Sequence, residues 1–162
     1  MDNQHILSQL KERFGDGIIH PTEPYGLLTF YTGATTIIDV LGFAKEQLGF
    51  TYLTDITAVH YPEGENTFSV VYHLHNLLEN VRIRIKANIL VADPKIPSAT
   101  VLWAGANWME RETYDFFGIQ FEGHPDLRRI LNMDELEVFP MRREYPLEDP
   151  NRVDKRDFYF GR

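Results

Sequence analysis

Between residues 81 and 89 the chain alternates strictly: Val81, Ile83, Ile85, Ala87 and Ile89 are apolar, while Arg82, Arg84, Lys86 and Asn88 between them are polar. A period of two assigns one set to each face of a β-strand. The apolar set must lie under a covering layer, and the basic set must meet solvent or a partner protein. A strand of this kind predicts a sheet covered on one side, so the rest of the chain has to supply the cover.

Helical spacing supplies it. Residues 3–14 place Ile6, Leu7, Leu10 and Phe14 on one side of a helix, and Gly15-Asp16-Gly17 ends the pattern. Thr35 or Thr36 caps a second helix bearing Ile37, Ile38, Leu41, Ala44 and Leu48, which stops at Gly49. Strand-like runs fill the intervals. Ile18 to His20 and Leu27 to Tyr31 read as a hairpin, and further strands are expected from about Phe50 to Tyr61, Thr67 to His75 and Asn80 to Val91. After Pro94, Pro97 and the stretch Ser98 to Trp103, a third helix is predicted from about Ala106 to Phe117, ended by Gly118. The expected fold is α/β in the α+β two-layer sense: a mixed β-sheet covered by helices on one face.

That domain is expected over residues 1–122. From Gly123 the periodicity ends, and prolines stand at 125, 140, 146 and 150. Between Pro140 and Arg162, basic Arg142, Arg143, Arg152, Lys155, Arg156 and Arg162 are mixed with acidic Glu144, Glu148, Asp149, Asp154 and Asp157. With Phe139, Tyr145, Phe158, Tyr159 and Phe160 among them, residues 123–162 read as an extended C-terminal arm that orders on a partner.

Composition excludes several functions. A formal charge of -8 argues against non-specific nucleic-acid binding, which needs clustered cations to neutralise phosphates. Zero cysteines leave no thiolate zinc site, no cysteine nucleophile and no ligand for a cysteine-held iron–sulfur cluster. No apolar run approaches eighteen residues, and the opening Met1-Asp2-Asn3-Gln4-His5 lacks the character of a signal or transit peptide. Membrane association is therefore expected to be indirect.

Candidate chemistry concentrates in the third helix and the turn after it. Glu110, Glu112 and Asp115 have the residue types of a general acid/base group, but no nucleophile accompanies them, and a solvated or partner-facing surface is the reading adopted. Arg111 and Asp115, four apart, share a helix face and are expected to pair. Gly123 and Pro125 make a rigid turn expected to present His124 and Arg128-Arg129 outward, where arginines suit a partner's carboxylates. His73 and His75 lie two apart and with His60 could hold a metal; a structural role is preferred. Asp55 is read as a capping or ion-pairing group. No catalytic, cofactor-binding or metal residue is assigned.

The run Glu110-Arg111-Glu112, Asp115 with Phe116-Phe117, Gly118-Ile119, then Gly123-His124-Pro125-Asp126-Leu127-Arg128-Arg129-Ile130-Leu131, resembles the signature of the C-type subunit family of respiratory complex I, the thirty-kilodalton class. Leu53 to Val59, Tyr72 to Leu74 and Pro97 to Trp103 extend the resemblance to roughly residues 50–148. Two departures are visible. His60 stands where the family commonly has an acidic residue before Tyr-Pro, and Phe139 to Leu147, with Arg142-Arg143, only approximates the usual Pro-Leu-Arg-Lys-Asp-Phe-Pro-Leu ending.

The resemblance implies a non-catalytic accessory subunit of a proton-pumping NADH:quinone oxidoreductase, peripheral on the cytoplasmic side of a bacterial inner membrane. It implies docking on the D-type, quinone-site subunit, beside the iron–sulfur subunits B and I. FMN, Fe–S clusters, NADH and quinone would then be held by partners and none by this chain. The same family serves membrane-bound hydrogenases and ferredoxin- or deazaflavin-driven dehydrogenases. The signature residues, together with Arg142 and Arg143, are expected to form the partner interface.

Overall fold

A computed structural model describes residues 2–145. The chain runs α1 (Asn3–Phe14), β1 (Ile19–Thr22), β2 (Leu28–Thr32), α2 (Ile37–Glu46), β3 (Tyr52–Tyr61), β4 (Thr67–Asn76), β5 (Val81–Leu90), β6 (Lys95–Pro97), α3 (Ala106–Phe117) and β7 (Gln120–Glu122). Five strands form one mixed sheet in the order β1-β2-β5-β4-β3. Strands β2 and β5 pair in parallel, from Leu28 opposite Ile83 to Thr32 opposite Ala87, and the other neighbours are antiparallel.

The alternation in β5 does what its period demands. Ile83, Ile85 and Ala87 are fully buried and Ile89 nearly so. They share one core with Ile6 and Leu10 of α1, Val40, Leu41 and Ala44 of α2, and Ala106 and Phe117 of α3. Each of the isoleucine, leucine and valine side chains contributes roughly 1.5–3 kcal/mol by leaving water. A one-residue slip would drive Arg82, Arg84 and Lys86 into that core, so the register is strongly fixed.

The opposite sheet face carries no helix among the described residues. There Lys86 lies 5.3 Å from the Tyr31 ring centroid, and Arg84 Nε donates to His73 Nε2 at 2.8 Å. Burial and the Arg84 charge lower the His73 pKa, partly offset by Asp55, whose carboxylate stands 3.7 Å away. Asp55 thus pairs, after an irregularity that interrupts the β3 register between Leu53 and Asp55. His75 shares this face, but His60 sits opposite Phe68 on the core side and is buried, so the three histidines do not converge.

Two features depart from expectation. The paired strands β6 and β7, parallel from Lys95 opposite Gln120 to Pro97 opposite Glu122, were not foreseen, because three residues are too few to show a period. They bury Ile96 and Phe121 and carry the chain into α3 and out of it. Thr36 occupies the position before α2, but its hydroxyl bonds the Gly33 carbonyl and Thr32 instead of capping the helix.

Residues 123–145 contain neither helix nor strand and fold back over their own domain. The Met141 N–H donates to the Phe116 carbonyl at 3.1 Å, and the Arg143 N–H to His60 Nδ1 at 3.0 Å. The expected arm is thus anchored to its own chain at its start. The remainder, 146–162, lies outside the described residues.

Candidate functional site

Helix α3 buries Ala106, Glu110, Arg111, Thr113, Asp115 and Phe117, so four of the six side chains it hides are polar. Charged groups are rarely buried without partners. Their partners define the site.

Asp115 is fully buried, and its carboxylate is the hub. Oδ2 accepts from the successive backbone N–H groups of Ile130, Leu131 and Asn132 at 3.1, 2.8 and 2.9 Å. Oδ1 accepts from Arg129 Nη1 at 2.8 Å and from the Asn132 side-chain amide at 3.1 Å. Burial alone would raise its pKa, but the three N–H groups and the guanidinium outweigh it and hold the carboxyl well below its usual range. The Arg129 fork also donates through Nη1 to the Asp115 carbonyl and through Nη2 to the carbonyls of Leu136 and Val138. A single guanidinium therefore closes both ends of the loop 130–138.

Arg111 does not pair with Asp115, contrary to the spacing argument. Its Nε and Nη2 donate to the carbonyls of Arg128 and Arg129 at 3.2 and 3.1 Å, and its guanidinium lies 5.2 Å from the Trp108 ring. Arg129, expected to point outward, has a side chain only 9% exposed, whereas Arg128 is 70% exposed and pairs with Asp126 at 2.9 Å. His124 is also turned inward. Its Nε2 donates to the Asn107 carbonyl at 3.1 Å, and its Nδ1 accepts the Asp126 N–H at 3.0 Å. Gly123, at φ 83, makes the turn that permits this, and Pro125 is exposed beyond it.

Glu110 is the second buried carboxylate, and it also departs from the expected solvated surface. Oε2 accepts from the Ser98 hydroxyl and Oε1 from the Ala99 N–H, both at 2.6 Å. Among the described residues no cation pairs with it, and burial outweighs the two hydrogen bonds, so its pKa rises to about 7. Tyr72 lies near enough that burial and then the Glu110 charge raise its phenol further; its hydroxyl has no hydrogen-bond partner among the described residues. Glu112, the third acid of the helix, is exposed.

Beyond α3, Gly118 takes φ 76 and its N–H returns to the Tyr114 carbonyl at 2.7 Å. A Cβ there would lie 2.6 Å from both Phe139 and Arg142, so glycine is required for space as well as for conformation. Arg142 Nε donates to the Phe117 carbonyl at 2.7 Å, and its guanidinium lies 4.8 Å from the Phe139 ring and 5.3 Å from Phe68. Arg143 is exposed and is held through its backbone to His60, whose Nε2 donates to Asn66 at 2.7 Å. His60 thus has a structural use as the anchor for 139–143. The structural role preferred for His60 from the sequence holds, but its partner Arg143 was not legible, and Ser98 and Asn132 were missed, because their partners lie far away along the chain.

The arrangement is a clasp: buried charges of α3 fix the segment after it. A two-layer α+β domain of this kind is shared by two solved structures. One is a chain of the membrane-bound sulfane sulfur reductase, an archaeal respiratory membrane complex, at TM-score 0.78 and 27% identity over 89% of this chain and 85% of that one. Another is a trypsin-resistant fragment (1-134) of Nqo5, at TM-score 0.68 and 32% identity over 78% of this chain and all of that one.

The sequence narrows this class to one family. The profile described as respiratory-chain NADH dehydrogenase, 30 Kd subunit, matches residues 30–151, and the chain belongs to that family. It is 43% identical over 93% of its length to the C subunit of the NADH-quinone oxidoreductase of Citrifermentans bemidjiense, covering 94% of that protein. The corresponding protein of Geobacter sulfurreducens is 40% identical with the same coverage, and that of Brucella ovis 44% identical over 85% of this chain and 69% of its own. Membership makes the chain a subunit of an oxidoreductase complex. Among the described residues no helix is long and apolar enough to cross a membrane.

Proposed function

We propose that this chain is a non-catalytic accessory subunit of the peripheral arm of a proton-translocating NADH:quinone oxidoreductase. It braces the D-type, quinone-site subunit and lies beside the iron–sulfur subunits B and I, on the cytoplasmic side of the membrane. The observation that carries this is identity of 43% to the C subunit of an NADH-quinone oxidoreductase, with nearly complete coverage of both chains. The site supports it physically: the buried charges of α3 are committed to the chain's own backbone, an arrangement suited to shaping a surface. Without cysteine the chain offers no thiolate for a cluster, so Fe–S clusters are assigned to its partners, and the family reading assigns FMN, NADH and quinone to them as well.

A second reading, favoured by the likeness to a chain of the archaeal sulfane sulfur reductase, is the equivalent subunit of a membrane-bound hydrogenase or of a ferredoxin- or deazaflavin-driven dehydrogenase. Both are tested by tagging the N-terminus in the native host, solubilising membranes gently and identifying what co-purifies. Proteins carrying flavin, clusters and the quinone site, with NADH:quinone activity, are the expected result. Hydrogenase proteins would select the second reading, and recovery of the chain alone from the soluble fraction would overturn both.

A further inference from the structure

The loop 130–138 is held far more firmly than its surface position requires. Three successive backbone N–H groups are fixed on one buried carboxylate, and the Arg129 guanidinium ties Leu136 and Val138 to the same point. Yet the loop displays Leu131 at 65% and Met133 at 71% exposure. Single exposed apolar residues are ordinary. Two of them on a loop built around a buried ion pair are not explained by the stability of the domain, because neither contributes to its core. Around them Asp134, Glu135 and Glu137 are exposed, form no ion pair among the described residues, and meet no lysine or arginine within 130–138. The surface is therefore an apolar tip in an acidic collar, already ordered, so little conformational entropy is lost when it binds.

We infer that loop 130–138 is a preformed docking knob that seats Leu131 and Met133 in an apolar pocket rimmed by lysine or arginine on a neighbouring protein of the complex. This rests on the proposed role within a complex and adds which residues make the contact and the chemistry of the surface that receives them. The acidic collar selects a basic rim and rejects acidic surfaces, a second copy of this net-negative chain included.

The test uses the full chain in its native membranes, with a photo-crosslinking residue in place of Met133, of Leu131 or, as control, of Leu78. Leu78 is 98% exposed in the turn between β4 and β5. The expected result is a cross-link from 131 and 133, and not from 78, to one different protein of the complex, mapped to a peptide where apolar residues adjoin lysine or arginine. In parallel, Asp134→Lys with Glu135→Lys lowers recovery of that protein roughly tenfold while leaving the unfolding transition of the purified chain unchanged. Cross-linking only to a second copy, or no more from 133 than from 78, while the complex still co-purifies, would overturn the knob and leave the proposed role standing. Failure of the unmodified chain to co-purify with any other protein of the complex would overturn both.

Discussion

Glu110 and Asp115 stand five residues apart on one helix, both fully buried and both hydrogen-bonded, and they are driven in opposite directions. Burial penalises the charged form of each. Glu110 has two donors and no cation among the described residues, and its pKa rises to about 7. Asp115 has three backbone donors, a guanidinium and a side-chain amide, and its charge is secured. The donor set, and not depth, decides whether a buried acid is a fixed anion or a group poised near neutrality.

The strongest way to break the contrast is to remove the hub. Asp115→Ala leaves the Arg129 charge buried without its partner and three N–H groups without an acceptor, and should destabilise the protein by roughly 3–5 kcal/mol. Urea unfolding at neutral pH measures this, and proteolysis should then open the loop 130–138 first. The opposite signs of the two acids make pH the next probe. For Asp115 the folded pKa is depressed, so its stabilisation is complete above the usual carboxylate range and is lost only as pH falls through the folded value.

For Glu110 the folded state holds the proton more tightly, so stability falls as pH climbs from 4.5 through about 7, by on the order of 3 kcal/mol. Glu110→Gln should flatten the stability profile across that window; a profile unchanged from the parent would contradict the assignment. The smallest effect is expected from Ser98→Ala, which removes one donor to Glu110 and the cap of the turn Ala99–Val101. It should cost about 1–2 kcal/mol near neutral pH and move the Glu110 titration upward, readable as a shift of the same profile.

The same pair shows what the sequence discloses. The end of α3 follows from Gly118, and the facing of β5 follows from strict alternation. The single-sided cover follows from these together with the amphipathic α1 and α2. Partner choice was not legible. The spacing of Arg111 and Asp115 permits an ion pair, but local spacing cannot register that Arg129, fourteen residues on, arrives with three backbone N–H groups beside it. Glu110 carries no mark of burial in the sequence either, since Ser98 reaches it through the short β6–β7 pairing, which has no periodic signature. Local patterns fix elements and faces; contacts between distant segments fix the chemistry.

The margins of the sheet bear on the life of such a chain before assembly. At one margin β1 is four residues long, irregular in register, and interrupted by Pro21, which has no N–H to offer. At the other, α3 packs along β3 and the Thr113 hydroxyl bonds the Ile56 carbonyl. The β1 margin is thus a poor template for another strand, and the β3 margin is partly covered by α3. A newly made copy in excess of its partners is therefore expected to resist polymerising through the β1 margin of its sheet.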